Sequence, residues 1–243
     1  MSQADSHQPD RTAEETVAFL LALRERGIRD TALLRAMEMA PRPLFAPRRF
    51  SDLARADISL PLPCGQTMTA PGIIATMVMA LKVAPRHRIF EVGTGSGYVT
   101  AVLARLGAQV ISVERYRTLA LAATERLATI GLANALVLPG DGLSAADVAG
   151  QRLDRILLNG TIASEFPAPL LASLNPGGVL VGAQVIGGES RLVRVTRRAL
   201  PEAVPAEHGA GGQQLLEEGP EFTQEILGPV RLPPLAHGVA RVL

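Results

Sequence analysis

The sequence predicts an α/β protein built on a mostly parallel sheet, and three observations carry that prediction. From Pro85 onward, short apolar runs alternate with amphipathic helical segments. The runs are continuously apolar, as in strands covered on both faces, and their alternation with helices signals βαβ units. A glycine-rich turn joins the first run to the helix behind it. Strands are expected at 88–92, 109–113, 135–138, 154–158 and 178–185, with helices near 98–106, 117–130 and 165–174. Residues 191–198 and 222–231 have the pattern of two further strands. The Gly-, Pro- and Ala-rich stretch between them (199–220) is expected to be an exposed, mobile loop.

The N-terminal third has a different texture. Residues 1–10 are polar and are expected to form a disordered tail. Thr12 and Glu15 have capping-box spacing ahead of an apolar stripe of Val17, Leu20 and Leu21, and Gly27 stops that helix. Asp30 is placed to cap a second helix through Met39, which Pro41 and Pro43 end. Residues 41–71 are proline-rich and lack periodicity, so a long irregular connection is expected. Pro71 suits the first turn of a helix whose apolar face is Ile74, Met77, Val78 and Leu81. The predicted organisation is a tail (1–10) and one domain (11–243). That domain comprises a helical extension (11–84) and an α/β core (85–243).

Composition excludes several function classes. The 243 residues carry 24 basic and 23 acidic side chains, a formal charge of +1. That balance argues against electrostatic binding to nucleic acid or anionic membranes. Six Phe, two Tyr and no Trp also argue against a base-stacking platform. Cys64 is the single cysteine, so no internal disulfide exists, and it is expected to be a buried small hydrophobe. No apolar run approaches membrane-spanning length, and no signal core opens the chain, so the expected compartment is the cytoplasm. His7, His87, His208 and His237 are scattered without metal-ligand spacing; they are expected to be solvated surface residues, and no metal site is expected.

The chemistry concentrates in one motif. Glu91-Val92-Gly93-Thr94-Gly95-Ser96-Gly97 follows the first apolar strand and opens a helix. Glycines let the backbone turn tightly, and the helix start offers unpaired N–H groups. The spacing is G-x-G-x-G preceded by an acid, which suits a ligand with an ammonium group better than a pyrophosphate. Glu114 ends the second strand, where an acid accepts ribose hydroxyls. Asp141, between Gly140 and Gly142 after the third strand, is placed to accept from an exocyclic amine such as adenine N6. A plain surface turn is the alternative for Asp141. Three acids at the carboxyl edge of one sheet together describe S-adenosylmethionine. Tyr98 and Tyr116 both fall in this region, and Tyr116 either flanks the adenine or packs on its own helix.

These motifs resemble those of the protein-L-isoaspartate (D-aspartate) O-methyltransferase family. The likeness runs from Leu23–Asp30 and Ala40–Phe45 through Gly65-Gln66-Thr67-Met68-Thr69-Ala70-Pro71, Glu91–Tyr98, Ser112–Arg115 and Gly140–Gly142 to Leu227–Leu235. The resemblance implies a class I S-adenosylmethionine-dependent methyltransferase sheet (Rossmann-like) with a helical N-terminal extension and C-terminal antiparallel strands. It implies cofactor binding by Glu91, Gly93, Thr94, Gly95, Ser96, Gly97, Glu114, Arg115, Asp141 and Gly142. S-Adenosylhomocysteine is then the product, and damaged protein or peptide is the partner.

Thr69 stands at the family's active-site serine position, with Gln66, Thr67 and Asn159 toward the substrate. A helix N-cap is the alternative role for the Thr69 hydroxyl. Two loops depart from the family pattern. Asn159-Gly160-Thr161 replaces T-A-A, and Val181–Gly187 replaces V-x-P-V-G. They keep open a different carboxylate or small-molecule acceptor; a cofactor-binding protein with little catalysis is a third reading, opposed by the two hydroxyls that the Gln66–Thr69 segment retains.

Overall fold

The computed structural model describes residues 8–199 and 221–240. The expected 199–220 loop lies almost wholly outside them, as do His7 and His208. The extension comprises α1 (Gln8–Glu25), α2 (Thr31–Met39), the short α3 (Arg42–Phe45), β1 (Leu60–Pro61), β2 (Thr67–Met68) and α4 (Pro71–Leu81). The core comprises β3 (Arg88–Val92), α5 (Tyr98–Leu106), β4 (Gln109–Glu114), α6 (Arg117–Thr129), β5 (Ala135–Pro139), β6 (Leu153–Ile162), α7 (Ala168–Ser173), β7 (Leu174–Ile186), β8 (Glu189–Arg197) and β9 (Phe222–Pro229).

All seven expected core strands form. They make one sheet in the order β5-β4-β3-β6-β7-β8-β9, parallel through β7 and antiparallel for the last two. This is the mixed α/β sheet, five parallel strands closed by an antiparallel pair, that the resemblance implies. From β3 the chain steps outward to β4 and β5, then returns to β6 on the other side of β3. Crossovers therefore diverge at the carboxyl ends of β3 and β6, the kind of crevice in which open α/β sheets bind ligands.

Strand alternation sorts the core into two faces. Ile89, Val110 and Leu157 face the side covered by α5 and the extension helices. Phe90, Val92, Ile111, Val113, Ile156 and Leu158 face the other.

Several local expectations are corrected. Helix α1 begins at Gln8, inside the expected tail, so Thr12 lies within the helix rather than at its cap. Asp30 does cap α2, its Oδ1 accepting from Leu33 N–H at 3.0 Å. The stretch 41–71 is not featureless, since it holds α3, a 3₁₀ turn at Arg48–Leu53 and the β1–β2 ladder. Thr69 does not cap α4: Ala70 occupies the cap position without a side-chain bond. Asp57 takes that role from a distance, with Oδ1 accepting from Gly72 N–H at 2.7 Å. Helix α7 is shorter than expected because Pro167 opens it and the chain turns extended at Leu174.

Leu103 is fully buried on α5, the helix that the glycine turn opens. Leu103→Ala is expected to destabilise the fold by about 2–5 kcal/mol, by lost transfer energy and residual cavity. A lowered urea midpoint at unchanged slope is the signature to measure.

Candidate functional site

The site is built from the reversal of the chain at the end of β3. Gly93, Gly95 and Gly97 adopt φ of 90°, 55° and 88°, a left-handed region that side chains with Cβ rarely occupy. The turn is anchored from the neighbouring strand. Gly93 N–H donates to Val113 C=O at 2.9 Å. Glu114 Oε2 accepts from Gly95 N–H at 2.8 Å, and its Oε1 accepts from Tyr116 N–H at 3.0 Å. Burial pushes the Glu114 carboxyl above its usual range, while the N–H groups of Gly95, Tyr116 and Arg115 and the Arg115 charge oppose that shift. On the β6 side, Asn159 Nδ2 donates to Gly93 C=O at 3.1 Å.

Between these groups lies a cleft of about 640 Å³, counting its open mouth. The predicted residues on its walls are Gln66, Thr67, Gly93, Gly95, Glu114, Arg115, Asp141, Gly142 and Asn159. Gly142 is required there, because a Cβ would lie 2.9 Å from Val92 Cγ1. Arg115 sits with its guanidinium carbon 5.4 Å from the Tyr116 ring centre.

Other predicted residues stand behind the cleft. Glu91 is fully buried, and Thr100 Oγ1 donates to its Oε2 at 2.5 Å. Strand parity explains the placement: Glu91 shares the face of Ile89, whereas Val92 faces the cleft. Thr94 and Ser112 hydroxyls bond each other at 2.5 Å, also buried. Ser96 Oγ accepts from Tyr98 N–H at 3.3 Å, and Ser96 C=O accepts from Arg126 at 3.2 Å. Gly97 meets α6, where an added Cβ would lie 3.0 Å from Ala123 Cβ.

Asp141 lines the cleft, but its carboxylate already serves the chain. Oδ1 accepts from Leu143 N–H at 3.0 Å, opening a 3₁₀ turn, and Oδ2 accepts from Gly238 N–H at 2.7 Å. A second lone pair on each oxygen is what an adenine amine would meet. His237 Nδ1 stands 3.6 Å from Oδ2, so this histidine belongs to the site's rim.

The substrate-side segment is split. Gln66 Nε2 donates to Cys64 C=O at 3.2 Å and to the Tyr116 hydroxyl at 3.4 Å, so Tyr116 braces this segment rather than walling the cleft. Thr69 is buried, and among the described residues its hydroxyl has no hydrogen-bond partner. Cys64 is half-exposed at a φ of 60°, 3.5 Å from Thr118 Oγ1, contrary to the buried role expected. Tyr98 is buried among extension residues with its ring centre 5.7 Å from that of Phe45, away from the cleft. Asn159 Oδ1 is a buried acceptor without a partner.

Sequence reasoning missed one wall. Pro233, Pro234, Leu235 and Ala236 line the cleft. Thr161 N–H donates to Pro233 C=O and Leu235 N–H donates to Thr161 C=O, each at 2.8 Å. Leu235 fits because Gly160 has no side chain; a Cβ there would lie 2.6 Å from Leu235 Cγ. The available signal was the motif-like ending Leu227–Leu235.

Glu91 makes a pH prediction. Burial raises its carboxyl to about 7 against an ordinary 4.5; the Thr100 hydrogen bond and the nearby Ser112 hydroxyl lower it, and the Glu114 charge raises it. The folded state therefore holds the proton more tightly than the unfolded state. Its contribution is present below pH 4.5 and is lost as pH rises through 7, a span worth of order 3 kcal/mol. Glu91→Gln keeps an acceptor for Thr100 and removes the charge. Its stability relative to wild type should rise between pH 5 and 8; parallel melting curves across that range would refute the assignment.

Among the described residues no helix is long and apolar enough to cross a membrane, and no three potential metal ligands cluster. Residues 14–207 match the protein-L-isoaspartate(D-aspartate) O-methyltransferase family. A Caulobacter sp. (strain K31) protein-L-isoaspartate O-methyltransferase is 39% identical over 241 residues, covering 99% of this chain and all of that one. The protein-L-isoaspartate O-methyltransferase 2 of Rhodopseudomonas palustris (strain HaA2) is 40% identical over 94% of this chain and 96% of its own. In three dimensions the fold is similar to a Plasmodium falciparum chain described as a beta-aspartate methyltransferase, solved in complex with S-adenosyl-L-homocysteine. That similarity has a TM-score of 0.71 at 20% identity, covering 90% of this chain and 97% of the other. With a family match over most of its length and full-length relatives near 40% identity, the chain belongs to the protein-L-isoaspartate (D-aspartate) O-methyltransferase family.

Proposed function

We propose that this chain is an S-adenosylmethionine-dependent carboxyl O-methyltransferase acting on L-isoaspartyl and D-aspartyl residues of damaged proteins. The observation that carries the reading is the cleft at the end of β3. There Glu114 holds Gly95 from below, and the Gln66–Thr67 segment faces both. The chain's donors and acceptors fit the cofactor. Glu114 retains acceptor capacity for ribose hydroxyls. Asn159 Oδ1 is an unsatisfied buried acceptor, the kind of group that an ammonium donor satisfies. Gly93 turns at a φ of 90°, which residues with Cβ rarely adopt, beside Asn159 and Leu235. Glu91, Thr94, Ser96 and Gly97 support this cradle from behind; Arg115, Asp141 and Gly142 complete its wall.

When bound, the cofactor supplies a methyl group on a positively charged sulfur. Held by the Gly93–Gly97 turn, Glu114, Asp141 and Asn159, it would offer that methyl to a carboxylate oxygen as an ester, the C–S electron pair staying on sulfur. An ordinary α-carboxylate is ionised at neutral pH, with a pKa near 3.5, so the chain need not remove a proton. Its task is to hold the carboxylate in line and strip water from it. Thr69 follows the cleft-lining Gln66–Thr67 segment without lining the cleft itself, and its hydroxyl, without a partner among the described residues, is the group proposed to donate to one carboxylate oxygen. The extension and the core act here as one methyltransferase unit. The proposed compartment is the cytoplasm, in keeping with the single cysteine.

The test is methyl transfer to matched peptides containing isoaspartate or aspartate, read as base-labile ester. Selective esterification of the isoaspartyl peptide supports the reading. Cofactor binding with no such preference overturns it and favours another acceptor, consistent with Asn159 where the family reads threonine. Thr69→Ala is expected to lower kcat about tenfold, the equivalent of one oriented hydrogen bond. Its Kd for S-adenosylhomocysteine should stay within about twofold; an equal loss of both would refute the division of roles.

A further inference from the structure

Arg42 is a buried cation that the reaction as described does not use. It is 2% exposed, and no carboxylate among the described residues bonds it. Its planar fork spreads over four backbone carbonyls instead. One terminal nitrogen donates to Ala54 C=O at 2.5 Å and Ala56 C=O at 3.3 Å. The other donates to Ile58 C=O at 3.0 Å and Thr69 C=O at 3.1 Å. Its carbon lies 5.9 Å from the ring centre of Tyr98, the first residue of α5 after the glycine turn. The guanidinium thus stands between the segment that carries Thr69 and the element that carries the glycine turn.

We infer that Arg42 is a positioning residue for methyl transfer, holding the Thr69 backbone at a fixed distance from the Gly93–Gly97 turn; the inference rests on the proposed function. A second tie supports the geometry. Asp57, between the carbonyls that Arg42 collects, accepts from Gly72 N–H at the start of α4 and pairs with Arg26 at 2.5 Å. Thr69 is therefore gripped at its own carbonyl and, three residues on, at the helix start. Without Arg42 the Thr69 carbonyl loses its side-chain donor, and the 54–58 turn loses its link to residue 69. A lysine carries the charge but lacks the planar fork that reaches both groups of carbonyls together. The glycine turn has its own anchors, Glu114 and Val113, which are independent of Arg42.

The experiment compares wild type, Arg42→Lys and Arg42→Met. It reads kcat and KM for an isoaspartyl peptide, Kd for S-adenosylhomocysteine, and amide hydrogen exchange at residues 66–70 and 93–97. Arg42→Lys should lose about tenfold to a hundredfold in kcat, the scale of a small misplacement of reacting groups. Its Kd should stay within about twofold, with faster exchange at 66–70 and unchanged exchange at 93–97. Arg42→Met should lose more kcat in the same pattern. If it does not fold, Arg42→Lys alone decides. Unchanged kcat in folded Arg42→Lys, or Kd weakening in step with kcat, overturns the inference, since a purely structural role gives one or the other. If wild type itself fails to esterify the isoaspartyl peptide, the proposed function falls. Exchange at 66–70 still judges Arg42 in that case, and unchanged rates there sink the positioning role.

Discussion

A turn made of glycines has no side chains to define it, so its shape depends on what receives its N–H groups. Here Glu114 accepts from Gly95 and Tyr116 together, while Val113 C=O accepts from Gly93 and Thr94 C=O from Gly97. The register of β3 on β4 sets the position of Glu114. Val92 lies opposite Val113, so the residue after Val113 falls beneath the turn as it leaves the sheet. Helix α5 can then start at Tyr98 with the turn held clear of the β6 edge, and Asn159 reaches Gly93 from that side. Displacing Glu114 would free the Gly95 and Tyr116 N–H groups together, leaving the turn to the Gly93–Val113 bond and the packing of Gly97 against α6.

Depth along the strand, not parity, separates the work of two acids so close in space: Glu91 pairs with Ser112, which shares its face of β4 with Glu114. Glu91 faces the helical layer and is fully enclosed, whereas Glu114 lies at the strand's end and borders the cleft. Both carboxyls are raised by burial, but only Glu114 is met by backbone N–H groups that favour its charge. Glu91 has one hydroxyl donor on one oxygen, and its other oxygen is unsatisfied. A charge balanced by fixed N–H dipoles is suited to waiting at a ligand site. A carboxyl with one oxygen unpaired is costly to ionise and serves better as a packed strut under the turn.

What the sequence made legible follows the range of the forces involved. Strands, the α2 cap and the start of α4 at Pro71 rest on local periodicity and on residues within a turn of each other, and they appear where expected. Glu114 was legible because its role follows from being the last residue of a strand. Glu91 stands one residue inside the end of β3 and is enclosed behind the cleft, a depth that its place in the motif does not reveal. Tyr98 was misplaced because position beside a motif says nothing of which face of a helix a ring takes. The Pro233–Ala236 wall and the Asp141 clasp on Gly238 join residues some 70 to 100 positions apart, a separation at which local pattern carries no information. Residues 41–71 looked featureless because their order comes from Arg42 and Asp57 reaching across the loop, not from any period.

That last point bears on how the protein divides its labour. The cofactor side is built from the sheet itself: glycines, backbone amides and the acid closing the next strand. The acceptor side has no strand of the main sheet beneath it, since β1 and β2 form their own two-residue ladder. It must be pinned from outside, and the extension supplies the pins. Phe45 packs its edge toward Tyr98 and Arg42 gathers the loop carbonyls, so α3 holds the extension to the core at the residue that follows the glycine turn. A scarcity of aromatics first suggested only that nucleic acid was not a partner. In the folded chain one Phe–Tyr contact joins the extension to the residue that follows the glycine turn.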